Sequence, residues 1–211
     1  ERLVVNLRQL DCTTYVENVM ALTMCAKANT LRFEDFCRTL QSIRYHGGNV
    51  DYVSRKHYFT DWIKANSEAG HVKEISSPTP PFSATQKLQL DYMSTHVDFY
   101  PMLKGHSDRV SRIKTVEKRL SDKSCRYIPK TEIKNTKLLR AVIHDGDIIA
   151  IVTNKKGLDT SHLGIAVWHA DGLHMLNASQ IRKKVVEEPM TLRQYMDRHP
   201  TQLGIRIVRM K

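Results

Sequence analysis

The sequence predicts an α+β fold, with amino-terminal helices packed on a carboxyl-terminal antiparallel sheet. Two observations predict it. Apolar residues recur at helical spacing up to about residue 121, whereas after Pro129 the apolar runs are short, rich in β-branched residues and bounded by turns. Helices first and strands last is the order of an α+β domain with helices on one face of the sheet, not of alternating βα units. The 211 residues suit one large domain, 1–211, and 41% hydrophobic content supports a real core.

The first helix is predicted over 12–28, with Tyr15, Val16, Val19, Met20 and Thr23 on one face and Asp11 as its N-cap. A second is predicted over 31–45, capped by Thr30 and stopped at Gly47-Gly48. A third, over 52–69, carries Tyr58, Phe59, Trp62 and Ile63 and closes at Gly70. Ser76-Ser77-Pro78-Thr79-Pro80-Pro81 is a loop. Two more helices are expected over 85–95 and 108–121, separated by Phe99-Tyr100-Pro101. The run from Ile148 to Thr153 reads as a buried strand, and 154–161 as a loop. Strands over 162–169 and 173–179 flank a hairpin turn at Asp171-Gly172. A strand over 181–186, a short helix over 192–198 and a last strand over 204–208 complete the chain.

The net charge of +11, from 33 Lys+Arg against 22 Asp+Glu, suits anionic partners. No zinc finger, RNA-recognition signature or basic helix with base-reading spacing is present, so nucleic acid is not the expected partner. No apolar run is long enough to cross a bilayer, and a monomer is expected. The four cysteines at 12, 25, 37 and 125 form no CxxC pair. Cys37 belongs to an apolar face with Phe33, Phe36, Leu40 and Ile43; Cys25 reads as structural, and Cys125 lies in a loop-like stretch. HExxH is missing, and His169 and His174 flank a turn where a metal could bind only by accident, so no metal and no cofactor are expected for the chemistry.

Cys12 remains as the candidate nucleophile. A thiol at a helix start is the nucleophile of a cysteine hydrolase if a histidine assists it. The helix terminus favours an anion by about 0.3–1 kcal/mol, under one pKa unit at about 1.4 kcal/mol each, so an imidazolium must supply most of the ionisation. Among ten histidines, His162 is preferred. It heads a strand and shares a face with the small residues Gly164 and Ala166, where the Cys12 helix is expected to approach. A third group must orient the imidazole, and Asn177 and His174 are the candidates. A two-residue hairpin loop puts His162 and Asn177 on one side as diagonal neighbours, which favours Asn177. For substrate, Arg55 can hold a carboxylate bidentately and Tyr58 or Trp62 can stack on a sugar, although Phe59 and Trp62 fit the core better. His57 joins Arg55 and Tyr58 as an expected contact, and Asp159 and Thr160 are expected to line the cleft.

Asp11-Cys12-Thr13-Thr14-Tyr15-Val16-Glu17, Gly146-Asp147-Ile148-Ile149, Ser161-His162-Leu163-Gly164-Ile165-Ala166 and Leu176-Asn177-Ala178-Ser179 occur in that order. As a set they resemble the NlpC-like branch of papain-like cell-wall hydrolases. Asn177 departs from that branch, which often carries the third group within an Ile-His-Ala-Ser-type strand. The closer resemblance is to the AmiA-like N-acetylmuramoyl-L-alanine amidases of bacteria. The stretch from Tyr52 to Trp62 is similar to that family's helical insertion, here about 48–125, and Lys156-Gly157-Leu158-Asp159-Thr160-Ser161 matches as well. The resemblance implies a papain-like, NlpC-type fold and a Cys12–His162–Asn177 mechanism. It further implies cleavage between (anhydro-)N-acetylmuramic acid and L-alanine, with anhydro-muropeptides preferred. It places the protein in the bacterial envelope, in the periplasm, with any signal peptide already removed. Two alternatives stand beside it: an endopeptidase cutting within the stem peptide, and a non-catalytic basic binding module.

Overall fold

The computed structural model describes residues 1–30 and 32–211. Its helices are α1 (Cys12–Lys27), α2 (Phe33–Arg44), α3 (Phe59–Glu68), α4 (Tyr92–Thr95), α5 (Ser107–Leu120), α6 (Lys137–Val142) and α7 (Leu192–Asp197). Its strands are β1 (Val72–Ile75), β2 (Ala84–Lys87), β3 (Ser124–Pro129), β4 (Ile148–Thr153), β5 (Thr160–Trp168), β6 (Leu173–Ser179), β7 (Lys184–Glu187) and β8 (Gln202–Met210). All pair antiparallel in one sheet of order β2-β3-β8-β4-β5-β6-β7. β1 pairs with β8 off this path. The α+β class, with helices ahead of an antiparallel sheet, is as the sequence predicts.

β4 is the centre, and all six of its residues are buried. Its continuous apolar run serves two cores at once. Ile148 and Ala150 face Val16, Met20, Phe36, Leu40 and Trp62 from α1, α2 and α3. Ile149 and Ile151 face the opposite way, onto Leu139 of α6 and Leu192 and Met196 of α7. Helices therefore cover both faces, and not the one face expected, because an unbroken apolar strand leaves neither face fit for water. A third cluster joins Tyr58 and Val53 to Met93, Leu103, Ile113 and Leu120 around α4 and α5.

Several predicted elements shift, each for a local reason. Residues 52–58 are not helical: the Asp51 carboxylate accepts the Val53 N–H at 3.0 Å, and the Ser54 hydroxyl accepts the Asp51 N–H at 3.2 Å. Side-chain bonds of this kind compete with the helix, which begins only at Phe59. The helix predicted over 85–95 is strand in its first part and helical only in its last. Ala84–Lys87 pairs with β3, from Ala84↔Tyr127 to Lys87↔Ser124, and only Tyr92–Thr95 is helical. Cys125 consequently lies on β3 and not in a loop. The segment read as a helical insertion thus contributes β1 and β2 to the sheet. The predicted start of the second helix at Leu31 lies outside the described residues. Thr30 does not cap it, since its hydroxyl turns back to the Cys25 carbonyl at 3.3 Å.

α1 lies on the β5 face that carries Leu163 and Ile165, opposite to the expected Gly164 face. Gly164 is small for another reason: a Cβ there would lie 2.3 Å from Met175 Cγ and 2.6 Å from its sulfur. α1 is fastened to α2 by a buried ion pair, Arg44 Nε donating to Glu17 at 2.7 Å. Arg44 Nη1 also donates to the Val4 carbonyl at 3.0 Å, which holds the segment leading to α1. Removing one partner of such a pair leaves an uncompensated buried charge. Glu17→Ala is expected to cost about 3–5 kcal/mol in urea unfolding, and the apolar double variant Glu17→Met/Arg44→Met less than that single change.

Candidate active site

Asp11 and Thr14 form a capping box at the head of α1. The Asp11 carboxylate accepts the Thr14 N–H at 2.7 Å, and the Thr14 hydroxyl accepts the Asp11 N–H at 2.9 Å. This fixes Cys12 as the first helical residue. The box places the sulfur where β5 and β6 separate. Those strands pair from Trp168↔Leu173 to Ile165↔Leu176, and there their pairing ends. Yet β5 begins at Thr160 and β6 continues to Ser179, so both backbones run on apart. In this gap the Leu163 backbone acts on the Cys12 sulfur and favours its ionised form.

His162, next to Leu163, lies on the α7 face of β5, where Tyr195 stacks on its ring at 6.4 Å between centroids. A bulge precedes it: Ile151 pairs with His162 and Val152 with Thr160, which leaves Ser161 as the extra residue. The buried Ser161 hydroxyl has no hydrogen-bond partner among the described residues. His162 Nε2 is 2.9 Å from Asn177 Oδ1. The amide has a fixed sense, because Asn177 Nδ2 donates to the Val186 carbonyl and to Glu188, both at 3.3 Å. Oδ1 must then face the ring as acceptor. Nε2 carries the proton, and Nδ1 is the basic nitrogen left over. Arg182 Nε donates to the other Glu188 oxygen at 3.1 Å, linking this chain of contacts to the loop after β6.

Cys12 and His162 line one cavity of about 820 Å3. Leu7 to Asp11 form one wall, and Ser161, Ala178, Ser179, Gln180 and Lys183 to Val185 the others. Arg8, Lys183 and Lys184 make its rim basic, and Asp11 is its single carboxylate. Burial raises the Cys12 thiol above its ordinary value and the Asp11 charge adds to this, against hydrogen bonds from Leu163 and Thr13. Burial lowers the His162 imidazole, while Asn177 and Glu188 pull it up and His199 pushes it down. The sequence led us to expect a standing thiolate–imidazolium pair. Burial shifts both groups, which line the same cavity, toward their neutral forms.

The five expected substrate contacts lie elsewhere among the described residues. Tyr58 is buried and donates to Glu117 at 2.7 Å while accepting from the Met93 N–H at 3.2 Å. His57 donates from Nε2 to the Tyr52 carbonyl at 2.7 Å, and burial pushes its pKa down to about 4. Asp159 accepts the N–H groups of Thr60 at 2.6 Å and Thr160 at 2.7 Å, a clamp between α3 and β5. The Thr160 hydroxyl bonds the same carboxylate at 3.3 Å. Arg55 faces Glu1 at 3.9 Å in a separate cavity of about 360 Å3 with Arg44 and Met102. Local bonds thus absorb groups that, in sequence, look free for a ligand. His174, the other candidate orienter, bonds Asp171 and the Glu188 carbonyl instead of His162. Sequence reasoning missed Ser161, Glu188 and Tyr195.

Residues 1–205 match the family described as AmiA-like, N-acetylmuramoyl-L-alanine amidase-like. Comparison with curated proteins gives no match. A crystal structure of an N-acetylmuramoyl-L-alanine amidase from Bacteroides uniformis superposes with a TM-score of 0.92 at 38% identity, covering 100% of this chain and 87% of that one. A Bacteroides fragilis protein provisionally assigned as a xylanase gives 0.91 at 39% identity, over 100% and 90% of the two chains. Protein LPG0564 from Legionella pneumophila gives 0.66 at 28% identity, over 95% and 75%.

A ring nitrogen titration tests the electrostatics. In 15N-resolved NMR, His162 is expected to titrate below 6.5, and lower still in Asn177→Ala, because Asn177 stabilises the charged ring. A folded-state pKa below the unfolded one contributes stability that is present above the unfolded value and lost as pH falls through the folded value. Wild type should therefore lose stability from this group on acidification below about 6.5.

Proposed function

Because the chain belongs to the AmiA-like, N-acetylmuramoyl-L-alanine amidase-like family, we propose that it hydrolyses the amide between N-acetylmuramic acid and the L-alanine of peptidoglycan stem peptides. The observation that carries this reading is the shared cavity of Cys12 and His162, with His162 Nε2 committed to Asn177. Cys12 is the nucleophile, His162 the base and then the acid, and Asn177 the group that holds the ring.

The neutral pair sets the order of events. As Sγ attacks the lactyl carbonyl carbon, its proton passes to His162 Nδ1. The N–H groups of the first helical turn lack partners within the helix. Thr14 gives its own to Asp11, which leaves the Cys12 N–H for the oxyanion. When the C–N bond breaks, the imidazolium protonates the departing alanine amine and a thioester remains. Nδ1 then takes a proton from water, hydroxide attacks the thioester, and the thiol leaves reprotonated. Asn177 and Glu188 favour the charged ring and support its transient positive charge.

The basic rim suits a ligand with several carboxylates, and anhydro-muropeptides are the substrates to offer first. A cell-envelope location accompanies that substrate. Glycoside hydrolysis of the kind a xylanase performs needs two flanking carboxylates. This cavity supplies only Asp11, which is engaged as the helix cap. Mass spectrometry of digested anhydro-muropeptides tests the proposal. Free anhydro-sugar and intact peptide are expected from wild type, and Cys12→Ala should fold normally while losing activity by about 10⁴-fold. Sugar-linked peptide fragments would move the cut into the stem peptide. Undiminished turnover in Cys12→Ala would remove the thiol from the mechanism.

A further inference from the structure

We propose that His169, Asp171, His174 and Glu187 form a structural binding site for a divalent ion of the zinc class, at the hairpin joining β5 to β6. This does not depend on the reaction assigned to Cys12. One ligand atom from each of His169, His174 and Glu187 lies within 4.8 Å of the others. The two rings meet edge to face, 4.7 Å between centroids. His169 Nε2 bonds the Glu187 carboxylate across to β7.

His174 carries the argument. Its side chain is 7% exposed. Its Nδ1 is 3.0 Å from the Glu188 carbonyl, which can only accept, so Nδ1 bears a proton. In the neutral ring, Nε2 then presents a lone pair. That lone pair faces both oxygens of Asp171, at 3.1 and 3.2 Å. A lone pair against a carboxylate requires a cation, either a second proton or a metal. The arrangement is that of a ligating histidine whose far N–H is fixed by a carbonyl. A tetrahedral ion with bonds of about 2.0–2.1 Å has ligand–ligand edges of about 3.3 Å, which the 3.1 and 3.2 Å between His174 Nε2 and Asp171 approach. Two imidazoles argue against magnesium or calcium, which take oxygen ligands. Two carboxylates neutralise a divalent zinc-class ion. The site would pin the hairpin to β7 at the end remote from the cavity. Glu188 spans the two, its carbonyl receiving His174 and its carboxylate receiving Asn177.

Cys12 and His162 would themselves take zinc, so the titration is made in the Cys12→Ser/His162→Asn chain. Calorimetry with zinc chloride at pH 7 should show one ion per chain, with a thermal upshift and an X-ray absorption spectrum containing two imidazoles. Adding His169→Ala, at an exposed position, should weaken binding by about 100-fold or more while the chain keeps its circular dichroism. Magnesium chloride should give neither heat nor upshift. The proposal is overturned if zinc binds no more tightly than to the His169→Ala chain. It is equally overturned if His174 Nε2 stays protonated in 15N spectra with zinc present, which would make the contact with Asp171 an ion pair only.

Discussion

The separation of β5 and β6 beyond Ile165↔Leu176 is the constraint on which the site rests. Backbone donors and acceptors freed inside a protein need new partners. The side chain of Asn177 crosses the gap to His162, and Cys12 stands at the gap beside Leu163. The same opening makes the cavity. Had the strands stayed zipped to Thr160 and Ser179, the room now held by Cys12, Ser161 and Ala178 would be a closed ladder. Gly164 lets Met175 cross close above β5 just where pairing ceases, so the last paired rung is tightly packed.

Support for this opening comes from buried charge. Glu17 and Arg44 tie α1 to α2, Arg206 donates to Glu74 at 2.7 Å, and Arg209 grips Asp147 at 2.7 Å just before β4. These bonds connect segments distant in sequence. Two crystal structures superpose on the whole chain, with TM-scores of 0.92 and 0.91. The resemblance is therefore to a complete architecture and not to a borrowed motif.

Much of the fold was legible. Apolar runs, capping residues and turn signals located β4, β6, α1 and α7 to within a residue or so. Parity across the hairpin also placed Asn177 beside His162, because the loop closes with His169 N–H on the Gly172 carbonyl and leaves two residues between. Short strands β1, β2 and β3 escaped notice, since four to six residues owe their form to pairing across the chain and not to their own pattern. The side of β5 facing α1 was misread because Gly164 and Ala166 looked like room for a helix, when the room belongs to Met175. The polar groups of 52–58 looked available because sequence cannot show that Asp51, Tyr52 and Glu117 claim them.

The capping box has a cost for the very residue it positions. Asp11 pins the helix head so that the sulfur is aimed, yet its negative charge opposes ionisation of that sulfur. Oxidants and stray electrophiles react with thiolates far faster than with thiols. A thiol kept protonated is spared that damage, and chemical durability is what the carboxylate supplies in return.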